Sequence, residues 1–131
     1  MKDTTSLGNL TEGVVLAALL KIGKKVLTPF GGGLPYDLVV DNGTELIKIQ
    51  CKTGRLVREN SVVEFRVYTT LRGGKSKIYS DVGAYGVYCP QNGKVYLIPA
   101  KDCNKSTVHL RVLPTKNGIK SRVRLASTYE I

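Results

Sequence analysis

The sequence predicts an α+β domain with an N-terminal helix packed on a central mixed β-sheet and additional β-hairpins. Three observations carry this. The clear helical run lies near the start, residues 8–22, GNLTEGVVLAALLKI. Behind it comes a series of short strand-type runs, and turn residues separate those runs. Helix first and strands after is the order of an α+β fold. At 131 residues the chain is expected to be a single domain, 1–131, able to bury a core without staples.

Each element has its own signal. Val14 to Leu20 is a run of Val, Ala and Leu, strong in helix formers and apolar on nearly every side, so the helix is expected to be largely buried. Gly23 stands where a helix C-cap glycine belongs. KVLTPF reads as a short strand and GGGLP as a flexible loop; no phosphate-cradle helix start follows the three glycines. YDLVVDNGTELIKIQCK reads as a hairpin with Asp-Asn-Gly-Thr at its tip. Residues 61–69, SVVEFRVYT, alternate, with Val62, Glu64, Arg66 and Tyr68 on the wetter face and Val63, Phe65 and Val67 on the drier one. AYGVYCP and VYLIP flank a Gln-Asn-Gly-Lys turn as another hairpin, and TVHLRVL is a last strand. The tyrosines 68, 79, 85, 88 and 96 are expected mostly in sheet packing.

Twenty Lys and Arg against ten Asp and Glu leave a formal charge of +10. A small domain this basic is expected to meet a polyanion, with nucleic acid ahead of an anionic membrane. The membrane reading wants a basic amphipathic helix, and this helix is apolar. Three cysteines without C-x-x-C spacing and a single histidine, His109, argue against a Cys/His zinc site. His109 reads as a strand surface residue. Free thiols, and an N-terminus without an apolar signal core, lead to the expectation of a reducing, cytoplasmic compartment.

The informative stretch is residues 45–54, ELIKIQCKTG. Alternation puts Lys48, Gln50 and Lys52 on one face of this strand and Ile47, Ile49 and Cys51 on the other. Lys48 reads as a solvated lysine. Asp37 belongs to the partner strand of the same hairpin, so a cooperating register would bring Asp37, Gln50 and Lys52 to one end of the sheet. Glu12 lies on the helix face of Val15, Leu16 and Leu19, either reaching that place or simply favouring the helix N-terminus. The set suits phosphodiester hydrolysis. A hard cation such as Mg²⁺ takes oxygen ligands, which Asp37, the Gln50 amide and the Cys51 carbonyl could supply. Lys52 would act on the attacking water and the phosphate charge, with Glu12 reaching the metal through water.

The order helix-Glu12, then Pro35-Tyr36-Asp37, then Gln50-Cys51-Lys52 resembles the PD-(D/E)XK nucleases. The wording TPFGGGLPYDLVV with IKIQCKTG is similar to their group I intron-encoded homing endonucleases, which carry a Gln-x-Lys variant. The likeness is strongest over residues 8–56 and looser over 81–99. It implies a restriction-endonuclease-like fold, a Mg²⁺-dependent endonuclease in which Mn²⁺ can substitute, and a double-stranded DNA substrate. Two departures stand out: Tyr36 separates the proline from the aspartate, and Gln50 replaces the usual acid, removing a negative charge from the metal site. In the homing subgroup that glutamine is the expected residue.

DNA phosphates would meet two basic groups: Arg55, Arg58, Arg66, Arg72, Lys75 and Lys77, and then Lys116, Lys120, Arg122 and Arg124. Base readout is expected on a 61–79 hairpin, with Arg66 and Arg72 as candidates for guanine. One site cuts one strand, so a double-strand break implies a homodimer or higher oligomer, and the resemblance implies a tetramer. Two other functions fit the same residues: a Holliday-junction resolvase, and a non-catalytic DNA-binding protein on a decayed nuclease scaffold.

Overall fold

A computed structural model describes residues 4–70, 73–78, 81–113 and 124–131. The chain opens with helix α1 (Thr4–Lys21), followed by strands β1 (Lys25–Leu27), β2 (Leu38–Asp41), β3 (Leu46–Thr53), β4 (Arg55–Val57) and β5 (Val62–Arg66). Two-residue strands β6 (Thr69–Thr70) and β7 (Ser76–Lys77) come next, then β8 (Ala84–Cys89), β9 (Lys94–Pro99) and β10 (Thr107–Arg111). Short 3₁₀ turns occupy Ala100–Asp102 and Ala126–Thr128.

Helix α1 buries one stripe, Thr11, Val15 and Leu19, spaced four apart as a helix face requires. It is not largely buried: Leu10, Leu20 and Ile22 face outward, with Leu20 55 % exposed. A single sheet can cover only one side of a helix, whatever the composition of the other. The helix also starts four residues before Gly8. Leu7 is half-buried and lines a groove beside Lys52 and Phe65, so packing carries the first turn past a poor helix former. At the other end Lys24 N–H donates to Leu19 O and Gly23 N–H to Leu20 O, both at 3.0 Å, with Gly23 at φ 84°. That is a Schellman cap, and it stops the helix where the glycine predicts.

The main sheet has the order β1-β2-β3-β8-β9. Its β3–β8 pair is parallel and the others antiparallel, which makes it mixed. The β2–β3 hairpin turns at Asn42 and Gly43, where the Asn42 carboxamide oxygen accepts from Thr44 N–H (3.0 Å) and Glu45 N–H (2.8 Å). A second sheet, β10-β5-β4, packs on the opposite side from the helix. Strand β8 is therefore covered on both faces. Ala84 joins Val15, Leu19 and Ile49 under the helix, whereas Tyr85, Val87 and Cys89 join Val63, Phe65 and Leu110 between the sheets. This explains its near-continuous apolar sequence.

Two expectations are corrected here. The strand within 61–69 ends at Arg66 and pairs with β4 and β10, whereas β6 and β7 form a separate two-stranded sheet. The described residues of 61–79 thus form no continuous ribbon. Val62, placed on the wet face by alternation, is fully buried. Strand β4 lies in a segment that the sequence marks only by its basic residues, Arg55 and Arg58. The chain crosses from the main sheet into β4 at Gly54, where a Cβ would lie 2.9 Å from Val87 Cγ1 and 3.0 Å from Val63 Cγ1. Only glycine lets the two sheets close there.

Candidate active site

The β2–β3 register pairs Leu38 with Ile49, which sets Asp37 opposite Gln50. Asp37 N–H continues the ladder by donating to Ile49 O at 2.9 Å. Its carboxylate Oδ2 accepts the Cys51 backbone N–H at 2.8 Å. The aspartate is held by two bonds to the strand that bears Gln50 and Lys52.

Gln50 is 8 % exposed, one of two buried polar side chains among the described residues. Its Nε2 donates to Pro35 O at 3.2 Å, tying the glycine-rich loop to the strand two residues before Asp37. Its Oε1 is buried with no hydrogen-bond partner among the described residues. Leaving an acceptor so placed costs about 1–3 kcal/mol unless a water or ligand meets it.

Lys52 reaches Tyr68 O with its Nζ at 3.2 Å. Burial pushes its pKa below the ordinary lysine value, and the Asp37 charge pulls the other way. Glu12, half-buried on α1, has its pKa raised by burial first and then by Asp37. The Cys51 thiol is raised strongly by burial, then by Asp37 and Glu12, and stays protonated. Asp37 thus acts electrostatically on Glu12, Cys51 and Lys52, and Glu12 itself lines a cleft with Leu16, Thr28 and Leu38. Thr11 and Thr53 pin that arrangement: their hydroxyls meet at 2.6 Å, locking α1 to the end of β3 one residue from Glu12 and from Lys52. Neither threonine has a signal in the sequence, because only the packing of helix on strand pairs them.

Lys48 shares the face of Gln50 and Lys52 but not their environment. Its Nζ pairs with Asp81 at 3.1 Å and lies 5.3 Å from the centre of the Tyr36 ring. It is an exposed ion pair, as its solvated reading implies.

The oxygen donors fit a hard cation: the Asp37 and Glu12 carboxylates, and the unpaired Gln50 amide oxygen. Among the described residues, no three His, Cys, Asp or Glu side chains cluster as a metal cage.

Beside Lys52 opens a groove of about 760 Å³ lined by Lys52, Arg55, Glu64, Arg66 and Tyr68. It gathers two of the expected DNA-binding residues, Arg55 and Arg66. Arg58 is in the β4–β5 turn, at φ 52° and ahead of Glu59 and Asn60 with similarly positive φ. Lys75 and Lys77 are exposed around β7. Arg124 sits apart, where its charge acts on Cys103 and Tyr129. Arg72, Lys116, Lys120 and Arg122, together with Tyr79, lie outside the described residues.

A helix packed on a mixed sheet, with acid, amide and lysine at the end of one hairpin, defines a nuclease architecture. The sequence profile of the PD-(D/E)XK endonucleases matches residues 2–131, and the chain belongs to that family. Among solved structures it is similar to a bacterial homing endonuclease, I-Ssp6803I, with a TM-score of 0.74 and 23 % identity over 98 % of this chain and 89 % of that one. That likeness gives the restriction-endonuclease-like α+β fold. No curated protein matches the chain.

Proposed function

We propose that this protein is a Mg²⁺-dependent, site-specific endonuclease of double-stranded DNA, of the homing type. The observation that carries the reading is the buried Gln50 Oε1, without a partner among the described residues, opposite Asp37 and two residues from the half-buried Lys52. Asp37 and Gln50 would hold the cation, with the Cys51 carbonyl as a further oxygen and Glu12 acting through water. When bound, Mg²⁺ supplies Lewis acidity to the scissile phosphate and to the attacking water.

The chain's own residues do the rest. Asp37 is oriented by the Cys51 amide. Gln50 is oriented by the Pro35 carbonyl. Burial brings the Lys52 amine nearer to neutrality, so Nζ can take a proton from the attacking water and then, charged, face the phosphate. Glu12, its acidity weakened, takes up and holds a proton more readily than an ordinary carboxylate. The homing reading takes support from the Gln50-Cys51-Lys52 motif and from the shared fold. A double-strand break would need two copies of the site, so the active species is a homo-oligomer.

The test is a cleavage assay on long linear duplex DNA, including intron-insertion sites, beside a four-way junction, in Mg²⁺ or EDTA. Discrete Mg²⁺-dependent duplex cuts, lost in Asp37→Ala and Lys52→Ala, are expected. Cutting of the junction alone would make the protein a resolvase. Salt-sensitive binding without cutting, in Mg²⁺ or Mn²⁺, would make it a binding protein on a nuclease scaffold.

A further inference from the structure

We propose that the outer face of the β10-β5-β4 sheet reads DNA bases, with Arg55 contacting a guanine and Glu64 positioning it. This rests on the nuclease reading only in taking duplex DNA as the partner. Arg55 and His109 are the direct cross-strand neighbours of Glu64, one on each side. Their side chains therefore stand in one row, on the face opposite the buried Val63, Phe65, Val108 and Leu110. Glu64 Oε1 accepts from Arg55 Nε (3.2 Å) and Nη2 (2.8 Å), and its Oε2 lies 3.0 Å from His109 Nε2. The carboxylate is 18 % exposed and the arginine 62 %. The row begins at Arg55, three residues past Lys52, and both line the same groove.

The carboxylate decides what this arginine is for. A phosphate grip depends on net positive charge, and an acid 2.8 Å away cancels much of it. A base contact depends on a fixed guanidinium plane. Glu64 holds the Nε side of the fork and leaves the Nη1 and outer Nη2 hydrogens, a pair that matches O6 and N7 of guanine. Holding the side chain before binding lowers the ordering cost of that contact. Arg66 gives the contrast. It lies over the Tyr68 ring at 5.7 Å from its centre, with no acid across the strand, since its neighbour on β10 is Thr107. That suits a phosphate contact.

The experiment is selection from a random duplex library by the full-length protein, with Ca²⁺ as the probe cation, followed by titration of the selected duplex at several salt concentrations. The wild type is expected to enrich a motif containing a guanine. Arg55→Gln should lose preference for that one guanine by on the order of 10- to 100-fold and keep the rest of the motif. Arg55→Lys retains the charge without the fork and should lose it too. Glu64→Gln should weaken the same position and no other, and the double variant should be no worse than Arg55→Gln alone. Urea unfolding of each variant shows that it is folded. Three results would overturn the proposal: no motif enriched by the wild type; Arg55→Gln weakening all sequences alike with a salt slope lower by about one; or Arg55→Lys keeping full guanine preference. A selected duplex left uncut in Mg²⁺ would sink the nuclease reading and leave this one standing.

Discussion

Replacing Gln50 by leucine separates stability from function. Leucine keeps most of the volume at a site that is 8 % exposed. The change removes a buried acceptor with no partner, whose presence costs about 1–3 kcal/mol. It also removes the Nε2 to Pro35 O bond, worth about 1 kcal/mol net. Pro35 is only half-buried, so its carbonyl can turn to water. The difference leaves Gln50→Leu between neutral and about 2 kcal/mol more stable than wild type in EDTA. With a urea slope of about 1–3 kcal/mol/M, the midpoint rises by up to roughly 2 M. Mg²⁺ should raise the wild-type midpoint, because a cation held by Asp37 and Gln50 would bind only the folded state, and should do little for the variant. Cleavage should fall by more than the roughly 10- to 100-fold that accompanies loss of an outer-shell partner. Urea titrations with and without Mg²⁺, beside single-turnover cleavage, measure all of this. A variant more than about 1 kcal/mol less stable in EDTA would show that Oε1 is satisfied in the fold. One that cuts at the wild-type rate would show that the amide oxygen has no part in the chemistry.

Other perturbations test other contacts. Asp37→Asn keeps an acceptor for the Cys51 N–H and should lose cleavage with little loss of stability. Asp37→Ala strands that amide and should cost about 1.5–3 kcal/mol in urea unfolding as well. Gly86→Ala would set a Cβ 2.5 Å from Val15 Cγ1, beneath the helix. A loss of about 1–3 kcal/mol is expected in thermal or urea unfolding. The Glu64 carboxyl is held below its ordinary 4.5, chiefly by the Arg55 hydrogen bond and then by His109. Because the shift is downward, its stabilisation is present above that value and is lost as pH falls through the folded one. Unfolding between pH 7 and 3 should steepen less in Glu64→Gln than in wild type, and an unchanged profile would count against the pairing. Lys52→Met should bind the selected duplex within a few-fold of wild type and cut it hardly at all; parallel binding and cleavage titrations separate the two.

Local chemistry determined much of this protein from its sequence alone. Asn42-Gly43 makes its turn through the asparagine side chain, and Gly23 ends the helix with a positive φ, because both effects act within a few residues. Period-two alternation put Gln50 and Lys52 on one face, and the hairpin register then delivered Asp37 opposite Gln50. Tertiary structure decided what lies far apart in the chain. Parallel pairing of β3 with β8 buries both faces of AYGVYC, and no local pattern specifies that partner. Helix α1 kept only the stripe that the sheet could cover, so its apolar composition overstated its burial. The crossing at Gly54 made a second sheet from residues that read as a loose basic segment, and so set Arg55 beside Glu64, with His109 on its other side. The orphaned oxygen of Gln50 is of the same kind. A glutamine in a strand is ordinary in sequence, and only the surrounding chain makes it buried and unpaired.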